Sequence, residues 1–314
     1  MYSGDAINKV LENYDFGSPK AELIRHNENI TYKVTDAEKS YLLRIHKPAE
    51  GLNLDFLRWE RDRIDLTKNE MELLQYLATE SGLQTQKVMP NIFGELVTLL
   101  DDKIPVTVLR WIEGPTLDNI DINEEIAYRI GYMIGRLHNA TSTIKLINRY
   151  SYDSALLQRM IEEGANASAQ GHFNKSQTKI IIETLSQIKD YLLSAKDRFM
   201  IVHTDLGKSN LIYYNESVIP IDFSLSGYCI PEMDLASVTA QINDENLNKD
   251  ILNGYKSVCI FELDNLGIEA CFCLQILLFI IAQHNRFFGE SWFRDNLDRW
   301  CGDHFKPFIM KIAK

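Results

Sequence analysis

The sequence predicts an α+β fold of two lobes, an antiparallel sheet lobe over residues 1–112 and a mainly helical lobe over 113–314. Two patterns and one size argument predict it. Apolar residues alternate with a period of two in the first part: Leu23, then Ile30, Tyr32 and Val34, then Tyr41, Leu43 and Ile45. After Gly114-Pro115 the period changes to that of helices, as in Ile126, Ile130, Met133, Ile134 and Leu137. A chain of 314 residues is also long for one compact core and comfortable for two.

Taken in order, residues 5–16 carry Ile7, Val10, Leu11 and Tyr14 at helical spacing, with Gly17 as the expected stop. Three short strands in an antiparallel meander follow. Residues 54–80 read as one helix with Leu57, Ile64, Met71, Leu74 and Leu77 on one side, and "ELVTLL" and "KIPVTVLRWIEG" supply two more strands. The first lobe is therefore a five-stranded antiparallel sheet with one long helix packed on it. Asn123 is placed to cap the helix of "EEIAYRIGYMIGRLHNAT". Helices over about 153–163 and 175–196, a hairpin in "NLIYYNESVIPIDF" and further helices complete the second lobe. A sheet lobe joined to a helical lobe by one crossing strand leaves a cleft between them, where ligands bind.

Composition excludes several classes. With 45% hydrophobic and 25% charged residues the chain is globular. Its net charge of -11 advertises no basic face for nucleic acid. The start "MYSGDAINKVLENYDFG" lacks the basic and apolar regions of a secretory signal. The apolar run from Ala270 is interrupted at Gln275 and broken at Gln283, so it reads as a buried core helix with no membrane role. Cys229, Cys259, Cys271, Cys273 and Cys301 are odd in number and lack zinc spacing, which suits reduced core thiols and a cytoplasmic protein.

The chemistry is concentrated in "IVHTDLGKSN" and the "DFS" that follows it. His203-x-Asp205-x-x-x-x-Asn210, on a loop before the hairpin, with Asp222 at the hairpin's end, matches the spacing of a kinase catalytic loop and its metal-binding aspartate. Phosphoryl transfer needs an anion to orient the attacking hydroxyl and oxygen ligands to hold magnesium on the phosphates. A carboxylate and an amide oxygen suit such a hard cation. The competing structural reading makes Asp205 and Asn210 turn formers and Asp222 a strand-end cap.

With these residues in hand, the chain resembles the aminoglycoside phosphotransferase and choline kinase-like family, which shares the protein-kinase-like fold. The resemblance rests on "HTDLGKSNLI", "IDFS", "DLA" from Asp234, "NENITYKV", "YLLRI", "EMELLQYL", "IEG" and Leu137-His138, in the expected order over most of the chain. It implies an ATP- or GTP-dependent kinase of a small-molecule hydroxyl, with magnesium as cofactor, present as a monomer or homodimer. Asp205 is then the catalytic base, and Asn210 and Asp222 are the magnesium ligands. Asn27, in the first turn, belongs to the nucleotide flap. Arg110, Trp111 and Ile112 receive the adenine through their backbone, with Trp111 either a stacking surface or hinge packing. His203 is read as scaffold, Asp234 as a cap or brace of the catalytic loop, and His138 as packing.

Three departures from the family pattern matter. The phosphate-binding lysine of the third strand is replaced by Arg44, which keeps the charge but holds phosphate as a fork. Its expected partner is Glu70, although Thr67-x-x-Glu70 also reads as a capping box at a helix start. Arg44 itself has a rival reading as a solvent-facing strand residue. The first turn, "HNENI", has no glycine, and "DFS" replaces D-F-G, against the glycine hinge of a regulated protein kinase. Lys208 either neutralises the moving phosphoryl group or faces water. The alternatives kept are a protein serine/threonine kinase of the same fold and a non-catalytic nucleotide-binding module.

Overall fold

The structure, a computed structural model, describes residues 4–58, 60–144, 147–242 and 244–312. Helix α1 (Gly4–Leu11) is followed by strands β1 (Lys20–His26), β2 (Ile30–Asp36) and β3 (Lys39–Ile45). Helices α2 (Asp55–Arg58) and α3 (Arg63–Thr79) precede β4 (Thr98–Leu100) and β5 (Ile104–Arg110). The five strands form one antiparallel sheet in the order β1-β2-β3-β5-β4. The alternation read from the sequence is the burial pattern in β2 and β3, where Ile30, Tyr32, Val34, Tyr41, Leu43 and Ile45 face a common cluster with Ile7, Val10, Leu11 and Tyr14; Leu23 of the edge strand β1 is exposed instead. The first helix ends at Leu11, short of the expected Gly17, and a turn carries Tyr14 onto the sheet, where its hydroxyl meets Thr98 Oγ1 at 3.0 Å.

The expected single helix over 54–80 is two helices, and Trp59 lies outside the described residues. Glu60 takes a left-handed conformation (φ 47°), and Asp62 caps α3 by accepting from the Ile64 and Asp65 N–H groups. The capping-box reading of Thr67 and Glu70 therefore fails. Thr67 Oγ1 donates to the Arg63 carbonyl inside the helix, and Glu70 sits two turns in. The break has a spatial consequence. Leu52, Leu54, Phe56 and Leu57 pack into the core of the helical lobe, whereas Met71, Leu74 and Leu77 of α3 pack with Leu109 of the sheet and with Leu137, Ile201 and Phe223 beyond it.

The second lobe is built on α4 (Glu124–Thr141), α5 (Ser154–Ala169), α6 (Lys175–Ser194), α7 (Glu232–Thr239), α8 (Glu245–Lys256), α9 (Asn265–Phe287), α10 (Ser291–Trp300) and α11 (Lys306–Ile312). Asn123 caps α4 as expected, accepting from the Ile126 N–H at 2.9 Å. Helices α4 and α8 cross where glycines permit it: a Cβ on Gly131 would lie 1.7 Å from the Ile251 carbonyl oxygen. Helix α9 is long and apolar enough to cross a membrane by length and composition, yet Ala270, Cys271, Cys273, Leu274, Leu277 and Ile281 are buried in this lobe's core. All five cysteines are free and buried.

The expected hairpin is β8 (Leu211–Tyr214) and β9 (Ser217–Pro220), turned by Asn215 and Glu216 at positive φ, the geometry of a two-residue hairpin loop. Three short strands were not expected: β6 (Tyr150–Ser151), β7 (Met200–Val202) and β10 (Gly227–Cys229), in the order β6-β10-β7. They hold residues 203–226 from both sides, since β7 runs into His203 and β10 follows the "DFS" segment.

Candidate active site

The loop after β7 is fixed by one buried carboxylate. Asp234, on α7, accepts from the His203 N–H at 2.9 Å and the Thr204 N–H at 2.7 Å. It also accepts from His138 Nε2 at 3.0 Å, and His138 Nδ1 is paired with the Tyr255 hydroxyl. Burial pushes its carboxyl upward, but the His138 contact and these donors outweigh that and hold it below the usual range. Of the two readings of Asp234, the brace is the one realised. Thr204 is held at φ 69°, an unfavourable conformation for a β-branched residue. Three contacts enforce it: Thr204 Oγ1 donates to the Leu225 carbonyl and meets the Tyr152 hydroxyl, and Gln275 Nε2 donates to the Thr204 carbonyl.

His203 is scaffold. Its Nε2 donates to the Ile221 carbonyl at 2.9 Å, and its Nδ1 accepts from the Asp205 N–H at 3.3 Å. Burial lowers its pKa, in keeping with a neutral ring that donates from one nitrogen and accepts at the other. Asn210 Nδ2 donates to Asp205 Oδ2 at 2.8 Å and to the Asp205 carbonyl at 2.9 Å, which leaves Asn210 Oδ1 without a partner among the described residues. Asp222 takes a left-handed conformation (φ 64°, ψ 69°) that turns its carboxylate back toward the sheet lobe. There Arg44 Nη1 donates to Oδ1 at 2.9 Å, and Arg25 Nη2 to Oδ2 at 3.3 Å.

Arg44 is buried, not a solvent-facing strand residue. Only 2% of its side chain is exposed, and its Nη2 donates to Glu70 Oε1 at 2.5 Å. Burial alone would lower its pKa; Glu70 and Asp222 outweigh that and raise it. The same arginine, helped by Arg25, holds Asp222 below the carboxylate range against its burial. The expected pair of strand arginine and helix glutamate is present, and Asp222 joins it as a third member that the sequence reading did not foresee.

Three adjoining cavities run through the cleft. The first, about 210 Å³, is lined on its apolar side by Ile24, Leu42, Trp111, Ile112, Ile212 and Ile221, with Arg44 and Asp222 at its inner end. The second, about 110 Å³, is almost wholly polar and is lined by Arg25, Asn27, Glu28, Asp205, Asn210 and Asp222. The third, about 140 Å³, has apolar walls from Leu54, Phe56, Leu57, Leu278 and Phe279, with Glu28, Tyr152, Thr204, Asp205, Gln275 and Gln283 as its polar groups. The first and second share Arg25 and Asp222; the second and third share Glu28 and Asp205.

Asn27, Trp111, Ile112, Asp205, Asn210 and Asp222 thus all line this series. Arg110 does not. Its side chain is exposed, and its N–H is donated to the Lys87 carbonyl. The Trp111 N–H is likewise donated to Ser40, so the hinge N–H without a partner among the described residues is that of Ile112. Lys33 Nζ sits 4.6 Å from the Trp111 ring centroid and covers the indole while Trp111 also borders the cavity. Lys208 is half-buried, uses its N–H to bond Gln241 Oε1, and lines none of the three cavities.

Sequence reasoning missed Arg25, just before the glycine-free turn, Glu28 within it, and the wall of the third cavity. Glu28 stands out electrostatically. Burial and then the charge of Asp222 push its carboxyl up to about 7, against the pull of Arg25, Arg44 and Arg58. Burial, then Glu28 and Asp222, push the Asp205 carboxyl well above the ordinary range, while the Asn210 hydrogen bond opposes. The signal for the third cavity was present in the sequence: Gln275 and Gln283, the two polar interruptions of the apolar α9, both face it.

Comparison with known proteins gives the chain a family and a shared fold. A model of the phosphotransferase enzyme family, APH, matches residues 20–266. An amicoumacin kinase of Bacillus subtilis (strain 168) is 24% identical over 234 residues, covering 73% of this chain; the chain spans 65% of that protein's length. A solved amicoumacin kinase in complex with AMP-PNP, Ca2+ and Ami superposes with a TM-score of 0.76 at 19% identity, over 99% of this chain and 94% of the other. A microcompartment-associated aminopropanol kinase gives 0.72 at 18% identity, over 99% and 94%. At these identities the two structures share the fold.

Proposed function

The chain belongs to the phosphotransferase enzyme family, and on that premise we propose that it is a kinase moving the γ-phosphoryl group of ATP or GTP onto a hydroxyl of a small molecule. The observation that carries this reading is the continuity of the three cavities, with Asp205 on the wall between the polar and the apolar-walled one. The base enters the first cavity, where Ile112 offers its unpaired N–H and Trp111 a ring. The phosphates run from Arg44 at the first cavity into the second beside Arg25, and the acceptor fills the third.

Asn210 Oδ1 and the Asp222 carboxylate are oxygen donors facing one polar cavity, a set that fits Mg2+. A divalent cation held there would neutralise phosphate charge and fix the phosphate oxygens. The chain's own residues do the rest. Asp205 orients the acceptor hydroxyl and takes its proton as the acceptor oxygen bonds to the γ-phosphorus and the bond to the bridging oxygen breaks. A carboxylate with a raised pKa is the better proton acceptor for that step. Arg44 stabilises charge on the phosphoryl oxygens. Asp234 and His138 hold the loop so that Asp205 stays in register.

The protein-kinase alternative is disfavoured by chain length. Between Asp222 and the start of α7 at Glu232 there is a single 3-10 turn and the three-residue β10, too little for a peptide-docking platform. A non-catalytic role is disfavoured by the convergence of Asp205, Asn210 and Asp222 on one cavity. The test is nucleotide turnover with Mg2+ against a panel of small alcohols, amino alcohols and amicoumacin, alongside a peptide library. Acceptor-dependent ADP or GDP release with a phosphorylated small molecule is expected. Phosphorylation of peptides alone, or nucleotide binding with no transfer to any acceptor, overturns the reading.

A further inference from the structure

Glu28 is unlike the other acidic groups of the cleft. Asp205, Asp222 and Glu70 each accept a hydrogen bond from a side chain, whereas the Glu28 carboxylate makes no hydrogen bond or close ion pair with any described residue. It nonetheless borders both the polar cavity and the apolar-walled one. Two other groups of the apolar-walled cavity offer it lone pairs. Gln283 Oε1 is fully buried with no partner among the described residues, and Asp205 is a carboxylate. The Tyr152 and Thr204 hydroxyls are already used, donating to the Leu225 carbonyl, and Gln275 Nε2 gives one proton to the Thr204 carbonyl. A chamber with apolar walls, a carboxylate that no side chain hydrogen-bonds and an unpartnered amide oxygen calls for a ligand with an apolar body and a cationic donor group.

We propose that Glu28, on the turn between β1 and β2, is a specificity-determining residue that binds a protonated amine of the acceptor, with Gln283 Oε1 taking a second proton of the same group. The proposal rests on the phosphotransferase reading above for the identity of this chamber as the acceptor site. A metal ion is a poorer occupant: no group of three or more His, Cys, Asp or Glu side chains among the described residues is arranged to hold one. The apolar walls make a second hydrated ion costly and favour an organic cation. Because Glu28 belongs to the nucleotide flap, an acceptor amine bound to it ties the flap over the phosphates. The sheet lobe thus takes part in choosing the acceptor.

The experiment uses matched pairs in which an amine replaces a hydroxyl: 2-aminocyclohexanol against 1,2-cyclohexanediol, and phenylalaninol against 3-phenylpropane-1,2-diol. Transfer from Mg2+-ATP is measured as kcat/KM, and binding is measured by calorimetry on the protein saturated with AMP-PNP and Mg2+. Wild type is expected to prefer each amine by roughly 10- to 100-fold, the range for a hydrogen bond to a charged group. Glu28→Gln should collapse that preference at least tenfold, and Glu28→Asp should keep part of it. Melting temperature reports whether each variant is folded, and Gln283→Leu, which leaves the flap intact, should weaken amine binding if the Glu28 variants do not fold. Amine binding that depends on Glu28, without transfer, would uphold this assignment and sink the phosphotransferase reading. Transfer with equal preference for amine and diol, or with a preference that survives Glu28→Gln, would do the reverse. Failure of every probe to bind overturns the proposal.

Discussion

Replacing Arg44 by alanine should be among the most damaging single changes in the sheet lobe. The guanidinium is 2% exposed and lies between Glu70, whose side chain is 3% exposed, and Asp222, at 13%. Two ion contacts at about 4 Å between charge centres are each worth on the order of 4 kcal/mol at an effective dielectric of about 20. Desolvation of the three groups offsets much of that gain. Removing the arginine alone leaves the desolvation of both carboxylates uncompensated, and breaking one partner out of a buried pair typically loses about 3–5 kcal/mol. Arg44→Ala is therefore expected to lower unfolding stability by about that amount. Arg44→Met combined with Glu70→Met should lose less than the two single changes summed, with a coupling of about 1–3 kcal/mol. Arg44→Lys should fall between wild type and alanine, because charge survives and the fork does not. Urea unfolding followed by tryptophan fluorescence reads stability, and calorimetry reads nucleotide affinity. A stability change under about 0.5 kcal/mol for Arg44→Ala, with an additive double mutant and unchanged nucleotide binding, would refute the reasoning.

Three further outcomes are expected. Asp205→Asn should reduce transfer by about 10²–10⁴ while nucleotide affinity, read by calorimetry, stays close to wild type, since a positioned base acts on the acceptor. Asp222→Ala should weaken nucleotide binding in the presence of Mg2+ far more than in its absence, because a full negative charge is lost beside a dication; equal effects with and without the metal would count against a metal role. Asp234→Asn should destabilise the fold at neutral pH and flatten the acid limb of the stability curve. The folded pKa of Asp234 is depressed, so its contribution is present above the unfolded value near 3.9 and is lost as pH falls through the folded value. Urea titrations between about pH 2 and pH 7 compare the two proteins, and parallel acid limbs would remove Asp234 from the brace.

The sheet lobe was legible because its determinants are local: alternation along β2 and β3 fixes which face is buried, and Tyr32, Val34, Tyr41 and Leu43 fall where the period of two puts them, although Leu23 on the edge strand does not. The convergence of Asp205, Asn210 and Asp222 on one cavity was legible for a different reason, since their spacing from His203 is itself the signal. What escaped depends on partners far away in the chain. Strands β6, β7 and β10 are two or three residues each and exist only because they pair with one another. The α2–α3 break put an apolar quartet, Leu52, Leu54, Phe56 and Leu57, into the other lobe, and hydrophobic spacing alone cannot say which core a helix joins. Arg25 reaches Asp222 across 197 positions, and nothing near Arg25 marks it as a cleft residue.

The substitution of arginine for the family's lysine follows from the geometry in which it sits. One ammonium nitrogen would have to face Glu70, Asp222 and phosphate oxygens from a single point. The guanidinium spreads these contacts over separate nitrogens. Its Nη2 faces Glu70, its Nη1 faces Asp222, and the buried Nε has no partner among the described residues. An unpartnered buried N–H is a standing cost of about 1–3 kcal/mol unless something accepts from it. Arg44 lines the first cavity at the end it shares with Asp222, where a phosphate oxygen would come into reach. Glu70 holds one edge of the fork from α3, whose own position is set by Phe223 of the "DFS" segment packing into the same cluster as Leu73 and Leu74. The arginine is thus oriented by both lobes at once. Its Nε donor is fixed before nucleotide arrives, at the expense of the mobility a lysine would have retained.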